Sequence, residues 1–296
     1  MDFVFWLFIA LLVIAAWSLT WARWRFIVHH SEAAVLPKGS RAIRVLHISD
    51  IHMAPWQSRK QKFIAELIEL QPDLIVDTGD NLGHRDVIGI TINSLESLLS
   101  VPGVFVNGSN DYYAPRFKSP IEYLFRPSTP KRENPLATKE MTDEFESRGW
   151  KNLNNRGATL EINGLKIGFI GVDDPHDELD EISSLSSNAK VVGKVDLMVG
   201  VAHAPYRRVI EAMAAEGASI MFAGHTHGGQ VRLPFIGALT TNSDLPNKHA
   251  KGLSAWIFEE RVMLLNVVAG LGNSIFAPIR LFNRPEVRVI TLTAKQ

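Results

Sequence analysis

The 296-residue chain contains no cysteine. Disulfide bonds and thiolate metal sites are therefore excluded, which leaves His, Asp, Glu and Asn as the side chains able to ligate a metal ion. The chain also lacks an excess of charge, since 31 Lys and Arg residues balance 31 Asp and Glu residues. Because nucleic-acid-binding proteins usually carry a basic excess, no nucleic-acid partner is expected.

Charge is absent altogether from the stretch between Phe3 and Ala22. As a helix rising ~1.5 Å per residue, this stretch would span about 30 Å, one hydrocarbon thickness of a bilayer. Tryptophans, which favour the membrane interface, lie toward its two ends at Trp6, Trp17, Trp21 and Trp24. A cleaved signal peptide is the alternative, but it would have a basic start and a shorter apolar core, whereas Asp2 precedes this run. We therefore predict an uncleaved transmembrane anchor over residues 1–25.

Arginines at positions 23 and 25 follow the apolar run directly. Positive residues are retained on the cytoplasmic side of membranes, so the sequence predicts a single-pass protein of the cell membrane with its main domain in the cytoplasm. Residues 26–41, which include Pro37 and Gly39, are interpreted as a linker. One globular domain is expected over residues 42–296.

The domain begins with a regular alternation of apolar strands and amphipathic helices. Strands are predicted over 43–49, 73–77 and 104–106, with helices over 58–70 and 87–99 between them, which is typical of a parallel α/β fold. A long loop with a short helix near Ile121 should follow, then a hairpin that turns at Asn163-Gly164. Further strands are expected near 195–201, 218–222, 255–258, 262–268 and 287–293, with Gln230–Leu233 also strand-like.

Polar clusters follow five of these strands at their carboxyl ends, where open α/β sheets bind ligands. The clusters are Asp50 with His52, then Asp80, then Ser109-Asn110-Asp111, then His203, then His225 with His227. The last pair lies between glycines in Ala223-Gly224-His225-Thr226-His227-Gly228-Gly229, which by itself could be a polar turn with two solvated imidazoles. Together and in this order, the clusters indicate a metal centre.

This series of motifs resembles the calcineurin-like metallophosphoesterase superfamily, whose pattern is D-x-H, G-D, G-N-H-D/E, H and G-H-x-H. The resemblance extends from about Ile43 to the C-terminus and implies a two-sheet αββα sandwich. Two longer stretches resemble the bacterial membrane-associated branch of this superfamily. They are the phrase from Gly224 to Pro234 and the tail that contains Gly270-Leu271-Gly272 and Pro278-Ile279-Arg280. That branch includes phosphodiesterases and UDP-2,3-diacylglucosamine hydrolases.

The resemblance also implies roles for the clustered residues. Asp50, His52 and His227 would hold one divalent ion. His203 and His225 would hold a second, and Asp80 would bridge the two. The ions could be Mn, Fe or Zn, since each is suited to His, Asp and Asn ligands. In the superfamily a bridging water becomes hydroxide and attacks phosphorus in line.

One block departs from the superfamily, because its G-N-H-D/E reads Gly108-Ser109-Asn110-Asp111 here. In strict register the ligand position falls on Ser109, whereas a small loop shift would make Asn110 the ligand through its amide oxygen. We predict Asn110 as the ligand and, with Asp80 and His203, as a catalytic residue. The histidine that assists the leaving group in the superfamily is missing from this block.

Six histidines lie outside these motifs, and three of them lie on or close to the strands and turns that carry the clusters. His47 alternates with apolar neighbours on a strand and is predicted to be a core residue with its own polar partners. His84 and His176 could line the site, but a solvated loop position is favoured for both.

The leading hypothesis is a membrane-anchored, metal-dependent phosphoesterase acting on phosphodiester or pyrophosphate bonds, with a lipid-linked substrate plausible because the anchor brings the site near lipid. The alternatives are a phosphomonoesterase or nucleotidase with soluble substrates, and a non-catalytic metal-bound scaffold. Nothing in the sequence indicates the oligomeric state.

Overall fold

Two six-stranded sheets form the centre of the computed structural model, which describes residues 2–115, 132–276 and 278–296. Its strands are β1 (Ile27–Leu36), β2 (Ile43–Ile48), β3 (Leu74–Asp77), β4 (Gly103–Phe105), β5 (Lys151–Asn152), β6 (Gly157–Ile162), β7 (Leu165–Gly171), β8 (Leu197–Val201), β9 (Ile220–Ala223), β10 (Arg232–Leu233), β11 (Gly237–Ala238), β12 (Gly252–Phe258), β13 (Arg261–Val267) and β14 (Glu286–Ala294). Its α-helices are α1 (Asp2–Leu19), α2 (Ser58–Glu66), α3 (Ile88–Leu99), α4 (Ser109–Tyr112), α5 (Thr138–Ser147), α6 (Ser184–Val192) and α7 (Arg207–Ala215).

The strand order is β1-β14-β2-β3-β4-β5 in the first sheet and β12-β13-β9-β8-β7-β6 in the second. The pairs β2–β3 and β3–β4 are parallel, as the alternation of strands and helices predicts. The pairs β7–β8 and β8–β9 of the second sheet are parallel as well. Strands β6 and β7 form the predicted antiparallel hairpin. Because neighbouring strands run the same way, their carboxyl ends open at one edge of each sheet.

Side chains that alternate along each strand separate the apolar interior into three layers. On β2, Val45 packs between the two sheets, whereas Leu46 packs under the helices α2, α3 and α5. On β9, Phe222 joins the layer between the sheets, whereas Met221 packs beneath α6 and α7. The predicted two-sheet sandwich is therefore confirmed, with helices against both outer faces.

The segment predicted as a linker differs from the expectation. Residues 27–36 form β1, which pairs in parallel with β14 from Ile27 opposite Glu286 to Ala34 opposite Thr293. The partner strand lies more than 250 residues away, so the backbone hydrogen bonds that order β1 leave little local sequence signal. His29 on β1 also lies 3.3 Å from the buried Glu286 carboxylate. The boundaries of the domain itself remain a prediction.

The N-terminal apolar run forms α1, followed by a 3-10 turn over Trp21–Trp24. The described span from Phe3 to Trp24 is long and apolar enough to cross a membrane, and only 7% of its most apolar window is buried. This composition is equally that of a signal sequence or an anchor. The ring of Trp17, on α1, lies 5.8 Å from the ring of Phe282.

The described residues between β4 and α5, 106–115 and 132–137, are irregular as expected, apart from the single turn of α4. The short helix predicted near Ile121 lies outside the described residues. The expected strand at 230–233 is reduced to β10, a two-residue strand that pairs with β11.

Candidate metal centre

Five strand-end loops bring the predicted polar residues together between the two sheets. The loops after β2, β3 and β4 come from the first sheet, and those after β8 and β9 come from the second. Two groups of ligand atoms each converge within 4.8 Å: Asp50, His52 and His227 form one, while Asp50, Asp80 and His203 form the other. The sandwich therefore joins residues from both sheets at one place.

Asp50 is fully buried, and its two carboxylate oxygens have different surroundings. Oδ2 accepts the Ser49 hydroxyl at 2.6 Å and the His225 backbone N–H at 2.9 Å. Oδ1 has no hydrogen-bond partner among the described residues and lies 3.7 Å from Nε2 of His227. Burial raises the pKa of Asp50 to about 6. A buried oxygen without a donor is costly, so Oδ1 is suited to a cation.

His52 is also fully buried, and neither of its ring nitrogens has a hydrogen-bond partner in the described part of the chain. Its ring stacks on that of His227, with centroids 5.1 Å apart. Burial lowers the pKa of both imidazoles well below the usual value, as do neighbouring cations such as Arg280. Both rings are therefore neutral at pH 7, which is the form that ligates metals.

Asp80 belongs to the second group and also reaches His52 of the first. Its Oδ2 is 3.4 Å from Nε2 of His52 and 3.6 Å from Nε2 of His203. Asn110 reaches the same carboxylate, with its backbone N–H 2.8 Å from Oδ1 and its side-chain Nδ2 2.7 Å from Oδ2. One carboxylate thus contacts both halves of the centre, as a bridging ligand must.

His203 and His225 face each other through ring nitrogens. His203 donates from Nδ1 to the Thr78 carbonyl at 2.7 Å, which directs its Nε2 toward Nδ1 of His225, 3.2 Å away. Two lone pairs at this distance repel unless a cation lies between them, and without a metal ion a proton takes that place. Burial alone would lower the pKa of His203, but the carboxylates of Asp80, Asp174 and Asp50 raise it to about 9.

The Gly108-Ser109-Asn110-Asp111 block wraps around this half of the centre. A Cβ at Gly108 would lie 2.7 Å from the His203 ring, so only glycine fits beside Asp80 and His203. The Asp111 carboxylate accepts the backbone N–H groups of Gly108, Asp80, Asn81 and Leu82, and so fixes the loop after β3 against the loop after β4. Asn110, rather than Ser109, makes the side-chain contact with Asp80.

The backbone at the centre is strained. Five of the clustered residues have φ values in the left-handed region: Asp50 at 47°, His52 at 43°, Asp80 at 57°, His225 at 65° and His227 at 48°. This conformation costs a residue with a Cβ of order 1 kcal/mol or more, and such residues concentrate at functional sites. The spatial arrangement of the ligand atoms therefore depends on turns that the sheets hold in place.

The prediction of a solvated loop position is wrong for His176. It is buried, its ring centroid lies 4.5 Å from that of His225, and its Nδ1 is 3.0 Å from the Tyr206 hydroxyl. His84 is partly exposed and packs its ring edge against Trp56. His47 is a core histidine as predicted, bonded to Thr78 at 3.0 Å and to Asn266 at 2.7 Å.

Arg280 is a residue that the sequence interpretation missed. It is fully buried, and its Nη2 donates to the carbonyls of Ala269 and Gly272 at 2.8 and 2.6 Å. The same nitrogen lies 3.5 Å from Nδ1 of His227. The Pro278-Ile279-Arg280 phrase in the tail was the available signal, but nothing in the sequence shows that this charge is buried.

The donor set fits a pair of divalent ions. Carboxylate and neutral imidazole together suit Mn, Fe and Zn, and Oδ1 of Asp50 and one ring nitrogen of His52 are buried ligand atoms without a hydrogen-bond partner among the described residues. The residues therefore form a candidate site for two metal ions.

Comparisons with known proteins were made by family model, by sequence and by structure. A family model described as calcineurin-like phosphoesterase matches residues 43–229. An uncharacterized metallophosphoesterase of Aquifex aeolicus (strain VF5) is 25% identical over 268 residues, which cover 89% of this chain and 90% of the relative. A transmembrane protein with metallophosphoesterase domain from Danio rerio is 25% identical over 267 residues, covering 87% of this chain and 54% of the relative. The solved structure of TT1561 of Thermus thermophilus gives a TM-score of 0.44 at 13% identity, covering 78% of this chain and 91% of that chain.

Proposed function

Because the chain belongs to the calcineurin-like phosphoesterase family, we propose that it is a membrane-anchored hydrolase that cleaves phosphodiester or pyrophosphate bonds with two divalent metal ions. The observation that carries the proposal is the position of Asp80, whose Oδ2 lies within 3.6 Å of a ring nitrogen from each half of the centre. A single carboxylate shared in this way is what a two-ion site requires.

The proposed ligand assignment combines these contacts with the superfamily pattern, and Asn110 would ligate through its amide oxygen while its Nδ2 donates to Asp80. Asp50, His52 and His227 would hold the first ion, and His203, His225 and Asn110 would hold the second. Asp80 would serve both. Mn, Fe and Zn are all compatible with these ligands.

When bound, such an ion pair neutralises phosphoryl oxygens and lowers the pKa of a coordinated water toward neutrality. Hydrogen bonds within the protein orient the ligand side chains for this role. The Thr78 carbonyl orients His203, Ser49 and the His225 amide orient Asp50, and Asp111 fixes the loop that carries Asp80. Burial of these groups keeps competing water away.

The expected preference for pyrophosphate bonds and activated esters over simple alkyl phosphates rests on Asn110. Its amide can donate a hydrogen bond to a departing oxygen but cannot release a proton at neutral pH. An acid in that position is typically worth 10²–10⁴-fold for a poor leaving group. Bonds with a phosphate or phenolate leaving group need this help least, so the enzyme should favour them over simple alkyl phosphates.

The membrane assignment rests on α1. The Danio rerio relative carries the description of a transmembrane protein, and the arginines after α1 favour a cytoplasmic domain. The phrase from Gly224 to Pro234 favours the bacterial membrane-associated branch, which includes phosphodiesterases and UDP-2,3-diacylglucosamine hydrolases. A lipid-linked phosphoester is therefore the proposed substrate class.

The proposal is tested by turnover of chromogenic substrates with graded leaving groups, using the full-length protein in detergent with Mn, Fe or Zn added. We expect hydrolysis of bis(p-nitrophenyl) phosphate that needs metal and falls steeply as the pKa of the leaving group rises. Faster turnover of monoesters than of diesters would favour the phosphomonoesterase alternative. Two bound ions without any turnover would favour the non-catalytic scaffold and contradict the proposal.

Topology has its own experiment. A reporter fused to the C-terminus should give a cytoplasmic signal, and the mature protein should begin near Met1. A periplasmic or extracellular signal, or an N-terminus beyond Ala22, would show that the apolar run is a cleaved signal sequence or an anchor of opposite orientation.

A further inference from the structure

An exposed apolar patch borders the candidate metal centre. It consists of Phe235 and Ile236 at the tip between β10 and β11, Leu239 just after β11, and Phe282; we name these four residues the apolar rim. Ile236 is 71% exposed and Phe235 is completely exposed. Phe235 is also held at a φ of 67°, a conformation that costs energy for an aromatic residue at a turn. Exposed apolar side chains gathered on neighbouring segments are typical of an interaction site.

Backbone hydrogen bonds make the apolar rim one unit. The Arg232 N–H donates to the Leu281 carbonyl at 3.0 Å, and the Leu281 N–H donates to the Gln230 carbonyl at 3.2 Å. The strand pair β10–β11 is therefore tied to the segment that carries Phe282. The Leu239 N–H joins the same unit through the Val231 carbonyl.

The apolar rim lies beside the end of α1. The ring of Phe282 contacts the ring of Trp17, and Arg284 donates to the carbonyls of Arg25 and Phe26 at 2.9 and 3.3 Å. These contacts fix the place where the chain leaves the apolar helix next to Phe282. If α1 spans a bilayer, the membrane interface meets the domain at the apolar rim.

The charges around the apolar rim complement an anionic bilayer. Arg23, Arg25, Arg232 and Arg284 all lie on the segments just described, and aromatic residues flanked by arginines are typical of membrane interfaces. Arg23 also stacks over the Trp24 ring at 5.0 Å. We propose that the apolar rim inserts into the surface of an anionic phospholipid bilayer, as a second membrane contact besides α1.

This contact would reach the metal centre directly. Asn283, next to Phe282, donates to the His227 carbonyl, and Arg232 donates to the Gly228 carbonyl at 3.1 Å. Both bonds fix the turn that carries His225 and His227. Insertion of the rim would thus hold the metal loop at the bilayer surface, where it meets a lipid-linked phosphoester; this last step rests on the proposed function.

The absence of cysteine allows the depth of the rim to be measured with one label. Ile236→Cys and Val191→Cys each place a nitroxide at an exposed aliphatic position, the second being a matched control on α6, where Val191 is 81% exposed. The labelled full-length protein is reconstituted into vesicles of phosphatidylcholine and phosphatidylglycerol. We expect the label at 236 to collide preferentially with oxygen, which partitions into lipid, and the label at 191 to collide with an aqueous nickel complex.

A label at 236 that stays accessible to the nickel complex overturns the proposal. So does shielding that requires a high ratio of protein to lipid, which would show that a second copy of the chain covers the rim. Neither result depends on catalysis, so the docking surface is tested even if the proposed activity is absent.

A second experiment tests whether insertion of the apolar rim affects turnover of a lipid substrate. Ile236→Asp and the control Val191→Asp are assayed on a phospholipid with a p-nitrophenyl headgroup in the same vesicles and on soluble bis(p-nitrophenyl) phosphate. We expect Ile236→Asp to lower turnover of the vesicle substrate about tenfold and to leave the soluble diester unchanged. An equal fall on both substrates would show a structural role for Ile236 and contradict the proposal. No turnover of either substrate by wild type would refute the proposed function alone.

Discussion

The two halves of the metal centre contain similar residues but differ in how completely their ligand atoms are already used. Oδ1 of Asp50 and the ring nitrogens of His52 have no hydrogen-bond partner among the described residues. In the other half, His203 and His225 contact each other at 3.2 Å, and Nε2 of His225 lies 3.1 Å from the Asn242 carbonyl. The first half is therefore open to an ion, whereas the second is closed by an imidazole pair.

The two halves also differ in protonation, and this difference too makes the first half the more accessible to an ion. The pKa values of His52 and His227 are well below the usual value, because His52 is buried and His227 is mostly buried, so protons do not compete with an ion there near neutral pH. The pKa of His203 is raised to about 9 by the carboxylates around it, against the effect of burial. An ion in the second half must displace that proton. We infer that the first half binds its ion more tightly.

The largest expected effect comes from removing the residue that both halves share. Asp80→Asn should eliminate retention of both ions and lower kcat/KM by more than about 10²-fold, since changes outside the ligand shell alone can cost 10–100-fold. Elemental analysis and turnover measure the two effects. Asp143→Asn, at an exposed position on α5, should change neither. Two retained ions with near-wild-type turnover in Asp80→Asn would mean that Asp80 is not a bridging ligand.

Removing one histidine from each half tests the comparison itself. After dialysis against metal-free buffer, wild type and His225→Ala should each retain the first ion, whereas His52→Ala should retain none. The expected difference in affinity between the halves is about 10–100-fold, the scale on which ligand surroundings affect metal binding. If His225→Ala lost its ion and His52→Ala kept one, the order of affinities would be reversed.

Because protons compete with the metal ion for His203, the affinity for the second ion should depend more strongly on pH than the affinity for the first. His203 is protonated below pH about 9 and ligates only when neutral, so affinity for the second ion should fall as pH drops below 9, by up to about tenfold per pH unit for one proton. Burial raises the pKa of Asp50 to about 6, so protonation of this carboxylate should weaken binding of the first ion only below that pH. Titration calorimetry at pH 7.5 in buffers of different ionisation enthalpy should show proton release with the second ion. Equal proton release for both ions would contradict the assignment.

The smallest expected effect distinguishes Ser109 from Asn110, which the sequence left as alternative ligands. Asn110→Ala should weaken the second ion about tenfold, because its amide contacts Asp80, while Ser109→Ala should leave both affinities within about twofold. Metal titration of the two variants measures this. A larger loss in Ser109→Ala would restore the strict register of the superfamily pattern.

The sequence predicted much of the fold because its strands and helices carry strong local signals. The runs 43–49 and 73–77 are apolar and short, and polar residues follow each at the strand end. The pairing of β1 with β14 had no such signal, because Ile27–Leu36 becomes a strand only by pairing with Glu286–Ala294 at the other end of the chain. His176 was misplaced for a similar reason: only the packing of its ring against His225 removes it from solvent.

By itself, the sequence determined which chemistry is possible. Without cysteine, and with His, Asp and Asn at five strand ends, the ligand types and their order along the chain follow from the residues alone. The tertiary structure decided which atoms remain available, because that depends on partners distant in sequence. Thr78 orients His203 across 125 residues and the His225 amide occupies one oxygen of Asp50 across 175, so the difference between the open and closed halves of the centre exists only in the folded protein.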